Sequence, residues 1–377
     1  MSINKIGQSL RIFRTLHWNP FDVLRRAGSL ILYYLPGELM LLPRHLDLYV
    51  TYRCNLRCKM CWLWGESGTQ PVTNELSLTA IKTLFDQVKK FKPIITLGGG
   101  EPLARKDIVE ILEYANAYGL RCELLTNGTL ITPELAQEIV RLVDHLLVSI
   151  DGPEKINDLI RGSGSFDKTV RGIKLVQEAA EKYNKKPRIR INCVVSSLNF
   201  KYLDELVDIA HTLDCHLSFQ HLIYSSDEVA QKHDRVIRDQ LDTDGSSIHG
   251  CVSNYYEIDI NMLIEALRIS RKKAVQLNVP FIVSPFLGGD ENTRAWYTSL
   301  IPIPRLRCTF PWVHYFIRPN GDVTPCEFID YHLGSVPQED VKSILKGPKA
   351  RYFRKKLRKN IFPGCVRCCK LLPWPFV

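Results

Sequence analysis

From Leu46 onward, short apolar runs alternate with longer stretches whose apolar residues recur at helical spacing. Leu46–Thr51 reads as a strand, and Ser77–Phe91 as a helix with Ile81, Leu84, Phe85 and Val88 on one face. Ile94–Leu97 predicts a second strand, and Ile108–Tyr118 a helix stopped by Gly119. Cys122–Leu125 and His145–Ile150 predict strands on either side of a helix over Pro133–Val143. Phe166–Tyr183 and Tyr202–Leu213 read as helices, alternating with strands over Arg188–Val195 and His216–His221. Six strand–helix units in succession require a parallel sheet, because each strand needs a crossover helix to return. The polar and glycine-rich segments fall just after strands, at the sheet edge where α/β enzymes keep their sites.

Beyond residue 222 the pattern loosens. Asp227–Ser247 reads as a polar loop or solvated helix, Asn261–Leu277 as an amphipathic helix, and 301–307 as a proline-bearing linker. The expected division is an N-terminal extension (1–45), an α/β core (46–225), a connection (226–300) and a small C-terminal domain (301–377). The first fifty residues interleave Ile6, Leu10, Phe13, Leu16 and Trp18 with Lys5, Arg11, Arg14 and His17. The apolar run Leu30–Leu35 stops at Pro36, far short of the ~20 residues that span a bilayer. A basic, aromatic-bearing segment of this kind lies in a membrane interface or packs as a lid on the core.

Composition adds two facts. Net charge is +10, which admits anionic partners without choosing among them, and no dedicated nucleic-acid motif is present. Twelve cysteines in 377 residues without a secretory signal pattern argue for metal over disulfides, and hence for a reducing, cytoplasmic setting.

Cys54, Cys58 and Cys61 have the spacing C-x3-C-x2-C, one ligand short of four. A cubane 4Fe–4S cluster on three thiolates keeps one iron open to a small molecule. A zinc site, which usually completes four protein ligands, and three unrelated core cysteines are the alternatives. The second strand ends in Gly98-Gly99-Gly100-Glu101-Pro102, where glycines let backbone approach a ligand closely. Together these segments resemble the radical S-adenosylmethionine (SAM) enzymes. The resemblance implies a partial (β/α)6 TIM-like barrel. It also implies a cluster whose open iron chelates SAM, and a 5′-deoxyadenosyl radical that abstracts hydrogen from a substrate carbon.

On that resemblance Gly99, Gly100 and Glu101 meet the SAM amino group, and Met60 packs the adenine where the family places a bulky residue. Thr126, Asn127, Ser149 and Arg161 become polar contacts to SAM, with the arginine fork suited to its carboxylate. As plain sequence, these four are equally loop or cap residues.

Cys308, Cys326, Cys365 and Cys368, with Asn320-Gly321 as a hairpin turn, resemble the SPASM extension that carries auxiliary 4Fe–4S clusters. That extension in full supplies ligands for two clusters, and the four here imply one, with zinc as the alternative. Cys369 replaces Cys368 or is a spare thiol. Cys122, Cys193, Cys215 and Cys251 read as structural.

The implied substrate is a peptide or protein, or alternatively a small or lipid-linked molecule at a membrane surface. A reductase such as flavodoxin or ferredoxin would supply electrons. Asn192, His221 and Tyr224 follow strands and are expected to face substrate, but no general base is legible. From another class, the chain would be a non-catalytic iron–sulfur electron carrier.

Overall fold

In a computed structural model that describes residues 28, 31–35, 42–66, 68–69, 74–185 and 187–373, all six expected strands form within about two residues of their expected bounds. They are β1 (His45–Thr51), β2 (Ile94–Gly99), β3 (Arg121–Thr126), β4 (His145–Ser149), β5 (Ile189–Val195) and β6 (His216–His221). Neighbours pair parallel in chain order, and β7 (Phe281–Ser284) continues the sheet beyond β6. The sheet is open, with β7 at one edge, so the architecture is the expected partial barrel.

The crossovers are α1 (Leu78–Val88), α2 (Ile108–Ala117), α3 (Pro133–Leu142), α4 (Glu154–Arg161) with α5 (Ser165–Lys182), and α6 (Leu203–Thr212). Local chemistry sets several starts. The Ser77 and Thr132 side chains accept from the Ala80 and Leu135 amides, satisfying first-turn donors, and Pro133 needs no partner at its position. After β6 follow α7 (Asp227–Leu241), α8 (Ile260–Gln276) and α9 (Asp290–Thr298). Ser226 and Asp259 cap α7 and α8 in the same way.

The strands have two unlike faces. Leu46, Leu48, Cys122, Leu124, Val148 and Ile191 are buried in the core with the helix residues. Alternate positions point the other way, so Asp47, Tyr49, Glu123, Ser149, Asn192 and Gln220 lie on the concave side, only partly buried. Parallel strands buried on both faces are usually apolar throughout. Polar alternation here marks a lumen.

The C-terminal segment is built onto this sheet. β8 (Leu306–Cys308) pairs with β12 (Leu371–Pro373) in a separate antiparallel ribbon. β9 (His314–Ile317) runs parallel to β1, and β10 (Asp322–Thr324) and β11 (Gly334–Ser335) extend that edge antiparallel. The expected Asn320-Gly321 turn forms, with Gly321 at φ +94° and its amide donating to the Arg318 carbonyl at 2.9 Å. Two helices follow, α10 (Val341–Lys346) and the basic α11 (Pro348–Lys359).

Arg161, readable in the sequence as a loop or cap residue, ends α4. Three expectations change. Asp227–Ser247 is mostly α7, whose Ala230, His233, Ile237 and Leu241 form a buried face. The linker at 301–307 buries Ile303 and Leu306 and leads into β8. β7 was not expected at all. The residues 1–27 of the basic N-terminal extension lie outside the described residues, while 31–34 are helical. Among the described residues no helix is long and apolar enough to cross a membrane.

Candidate active site and cluster-binding residues

β1 delivers the cysteine loop at its C-terminal end, as expected. All twelve cysteines are unpaired. Each sulfur of the triplet faces a nitrogen: the Leu56 amide lies 3.4 Å from Cys54 Sγ, the Trp64 amide 3.4 Å from Cys61 Sγ, and Arg161 Nη1 3.9 Å from Cys58 Sγ. Donors arranged around sulfur favour thiolate over thiol. Burial opposes them, raising Cys54 and pushing Cys58 up to about 11. A cationic partner would reverse that, as a metal does to a coordinating thiol.

The glycine motif serves the loop. Gly100 N donates to Thr51 O and Glu101 N to Arg53 O, both at 2.8 Å. A Cβ on Gly99 would stand 2.0 Å from Thr51 O, and one on Gly100 2.3 Å from Arg53 O. The backbone these glycines admit is therefore the strand end and start of the cysteine loop, a constraint not visible in the sequence.

Glu101 is fully buried and clamps the motif to the end of β3. Its Oε1 accepts from Thr126 Oγ1 at 2.7 Å and Leu103 N at 3.0 Å, and its Oε2 from Asn127 N at 2.7 Å. Burial raises this carboxyl despite those donors. Thr126 Oγ1 also accepts from Gly128 N at 3.0 Å. Asn127 Nδ2 donates to Asn55 Oδ1 at 2.9 Å and lies 4.0 Å from Cys54 Sγ. Glu101, Thr126 and Asn127 thus form one network bracing the cysteine loop.

Arg161 closes the other side. The Lys59 amide donates to Ile160 O at 2.9 Å, tying the loop to the end of α4. Arg161 Nη2 meets Asp151 Oδ2 at 2.7 Å, and its buried Nε has no partner among the described residues. Burial opposes the charge, but Asp151 and Cys58 hold the guanidinium protonated. Ser149 is half-buried at the end of β4, in register with Asn192.

Beside Cys61 a cavity of about 100 Å³ is lined by Lys59, Met60, Gln220, Cys251, Tyr255 and Phe328 among others. Met60 therefore borders this cavity. Gln220 lines it, whereas its neighbour His221 is turned away. His221 Nδ1 lies 2.9 Å from Tyr297 Oη, and burial pushes the imidazole down to about 4. The Tyr224 hydroxyl donates to the Trp296 carbonyl. The expectation that His221 and Tyr224 face substrate is corrected: both are buried in the packing around Trp296, His221 because it alternates with Gln220 along β6 and Tyr224 in the segment that follows the strand. Asn192 stays on the lumen face, accepting from Arg190 Nε at 3.1 Å.

The C-terminal cysteines converge from three segments. Cys308, Cys326, Cys365 and Cys368 line one cavity of about 30 Å³, with His233, Glu327 and Lys370. Cys369 is not among its lining residues. Burial pushes Cys308 up to about 11 and Cys326 to about 12. Glu327 links this cavity to the lumen: its Oε2 accepts from Tyr49 Oη at 2.8 Å, and its Oε1 lies 3.6 Å from Lys370 Nζ.

Sequence comparison matches residues 48–210 to the Radical SAM superfamily and residues 308–369 to the SPASM iron–sulfur cluster-binding domain, together more than half of the chain. The chain belongs to the radical SAM superfamily. It is 29% identical over 337 residues to an AdoMet-dependent heme synthase of Oleidesulfovibrio alaskensis, covering 85% of this chain and 78% of that one. It is 34% identical over 172 residues to mycofactocin maturase MftC of Mycobacterium tuberculosis, covering 45% and 42% respectively. Streptococcus suis SuiB bound to S-adenosylmethionine has the same fold, with a TM-score of 0.62 at 18% identity over 93% of this chain and 78% of that one.

The cofactors of this radical SAM chain are accordingly SAM and 4Fe–4S clusters. Its residues fit them. Three sulfurs stand beside nitrogen donors, a buried guanidinium holds an unused N–H, and four thiols from distant positions share a cavity. Sequence reasoning missed Asp151, Gln220, Tyr255 and Phe328. Asp151 had a signal, since it opens the polar segment directly after β4.

Proposed function

We propose that Cys54, Cys58 and Cys61 hold the catalytic 4Fe–4S cluster, and that Cys308, Cys326, Cys365 and Cys368 hold one auxiliary cluster. Reduced by one electron from a flavodoxin- or ferredoxin-type donor, bound SAM would release methionine and a 5′-deoxyadenosyl radical, which takes hydrogen from a substrate carbon. The observation carrying this reading is the cavity whose lining includes both Cys61 and Phe328, two residues after Cys326. Substrate held there meets residues of both cysteine-bearing segments. Arg161, oriented by Asp151, offers its unused Nε–H to the SAM carboxylate, and Met60 packs the adenine. Gly99, Gly100, Glu101, Thr126 and Asn127 fix the loop that presents SAM, with Ser149 at the lumen edge. Lys59, Gln220 and Tyr255 orient the substrate and, with Phe328, keep water from the reacting carbon.

A peptide or protein is the first reading of the substrate, supported by the fold shared with SuiB, which has been seen bound to precursor peptide SuiA. Anaerobically reconstituted protein, reduced with dithionite in the presence of SAM, is expected to yield 5′-deoxyadenosine, read by liquid chromatography. No product under any reductant would leave the iron–sulfur carrier as the better reading.

One surface favours a second reading, a lipid-linked substrate met at an anionic membrane. Ile31, Tyr34 and Leu35 are 61%, 49% and 43% exposed. The carbonyls of Tyr33 and Leu35 accept from Arg358 Nη1 at 3.3 and 2.6 Å, which seats this segment against α11. Arg351, Lys355 and Arg358 follow helical spacing on one side of α11, and Arg351, Lys355 and Lys359 are exposed. Apolar side chains flanked by a basic row suit the headgroup region of an anionic bilayer. Full-length protein is expected to float with phosphatidylglycerol-containing vesicles and not with pure phosphatidylcholine. The triple substitution Arg351→Glu, Lys355→Glu, Lys359→Glu should reduce flotation several-fold. Full-length protein that stays in the pellet fraction with anionic vesicles would sink this reading.

A further inference from the structure

His233 is a buried side chain of α7 that the proposed mechanism does not use. It is 1% exposed and lines the cavity shared by Cys308, Cys326, Cys365 and Cys368. Its ring is fixed from the opposite chain segment, because the Gly364 amide donates to His233 Nδ1 at 3.1 Å. Gly364 directly precedes Cys365, and a Cβ on it would stand 3.1 Å from His233 Nδ1 and 2.8 Å from the Ile248 side chain. Glycine there lets the amide reach the imidazole.

That hydrogen bond decides the tautomer. An Nδ1 that accepts carries no proton, so the single proton of a neutral imidazole sits on Nε2. Burial pushes His233 down to about 4, consistent with a neutral ring. Nε2 is buried and has no hydrogen-bond partner among the described residues. A buried N–H without an acceptor is costly, and native structures rarely leave one so. The sulfur-rich cavity this ring lines is where an acceptor would come from.

We propose that His233 donates its Nε2–H to the auxiliary 4Fe–4S cluster, to a sulfide or a cysteinyl sulfur, and so raises that cluster's reduction potential. The inference rests on the assignment of the four cysteines made above. A hydrogen bond to sulfur stabilises the more negative, reduced cluster, which is the direction of the effect. Ligation of iron through Nε2 is excluded by the same geometry. It would require an imidazolate, or a proton moved to Nδ1 and driven against the Gly364 N–H. His233 is thus a positioning and tuning residue in the wall of a site that also holds the four thiols, Glu327 and Lys370.

The test uses the full-length chain carrying Cys54/Cys58/Cys61→Ala, so that only the C-terminal cluster is read. In an EPR-monitored redox titration, adding His233→Phe should move the midpoint to lower potential at unchanged iron content. His233→Gln, which keeps an N–H donor, should fall between the two. An unchanged midpoint in the phenylalanine variant overturns the donor role. Should that variant lose iron, the parent chain labelled with 15N-histidine carries the test by pulsed EPR of the reduced cluster. A weak coupling to one nitrogen is expected; no coupling, or one of ligand size, overturns the proposal. A parent chain that binds no iron at all overturns the auxiliary-cluster assignment itself, and the donor with it.

Discussion

Replacing Cys54, Cys58 and Cys61 together by alanine is expected to halve the iron content, from about eight to about four atoms per chain, and to abolish 5′-deoxyadenosine formation. The two cysteine groups hang on different supports, so one should empty without the other. The first group sits on the loop after β1, braced by Asn127 and Arg161. The second gathers β8, the segment after β10, and the turn after α11 around a shared cavity. Removing half-buried thiols from a loop leaves the apolar face of β1 (Leu46, Leu48 and Val50) in place, and far-ultraviolet circular dichroism should be unchanged. Anaerobic iron and sulfide analysis with product chromatography reads both outcomes. About four irons in the parent and none in the variant would mean that the C-terminal thiols hold zinc or nothing.

Much of this site was legible because its signals are local. Three cysteines within eight residues and a five-residue glycine motif need no knowledge of the fold. The strands were legible because β-branched and leucine-rich runs alternate with helix-period stretches. What failed depended on phase or on distant partners. His221 and Gln220 are adjacent and both polar, and only the register of β6 against β5 decides which one faces the lumen. β7 is a four-residue strand, half-buried throughout, and too short to carry a period. α7 looked solvated because its buried stripe is narrow, although Ala230, His233, Ile237 and Leu241 keep helical spacing. Distance along the chain also hid what Gly99 and Gly100 admit, since the backbone atoms nearest to them belong to the cysteine loop.

That last point gives the second large effect. Gly99→Ala is expected to empty the catalytic cluster while leaving the C-terminal iron bound. Gly99 has φ +122°, a conformation L side chains rarely adopt, and its Cβ would stand 2.0 Å from Thr51 O. Backbone strain of this kind costs about 1–3 kcal/mol before any clash is counted. The obstacle is a carbonyl in a strand, which cannot swing aside as a side chain can. That carbonyl also accepts from Gly100 N at 2.8 Å, so a displaced β1 end breaks the link that holds the motif to the loop. Thr51 is three residues before Cys54, and a shift there moves the first thiol relative to Cys58, which is anchored separately through α4. Gly119→Ala is the control. Gly119 also has positive φ, at +64°, but its Cβ would meet the far end of the Lys92 side chain at 3.1 Å. It should cost about 1 kcal/mol and leave both the iron content and 5′-deoxyadenosine yield intact. Gly99→Ala protein that still binds about eight irons and cleaves SAM at the parent rate would show that the close approach does not hold the loop in register.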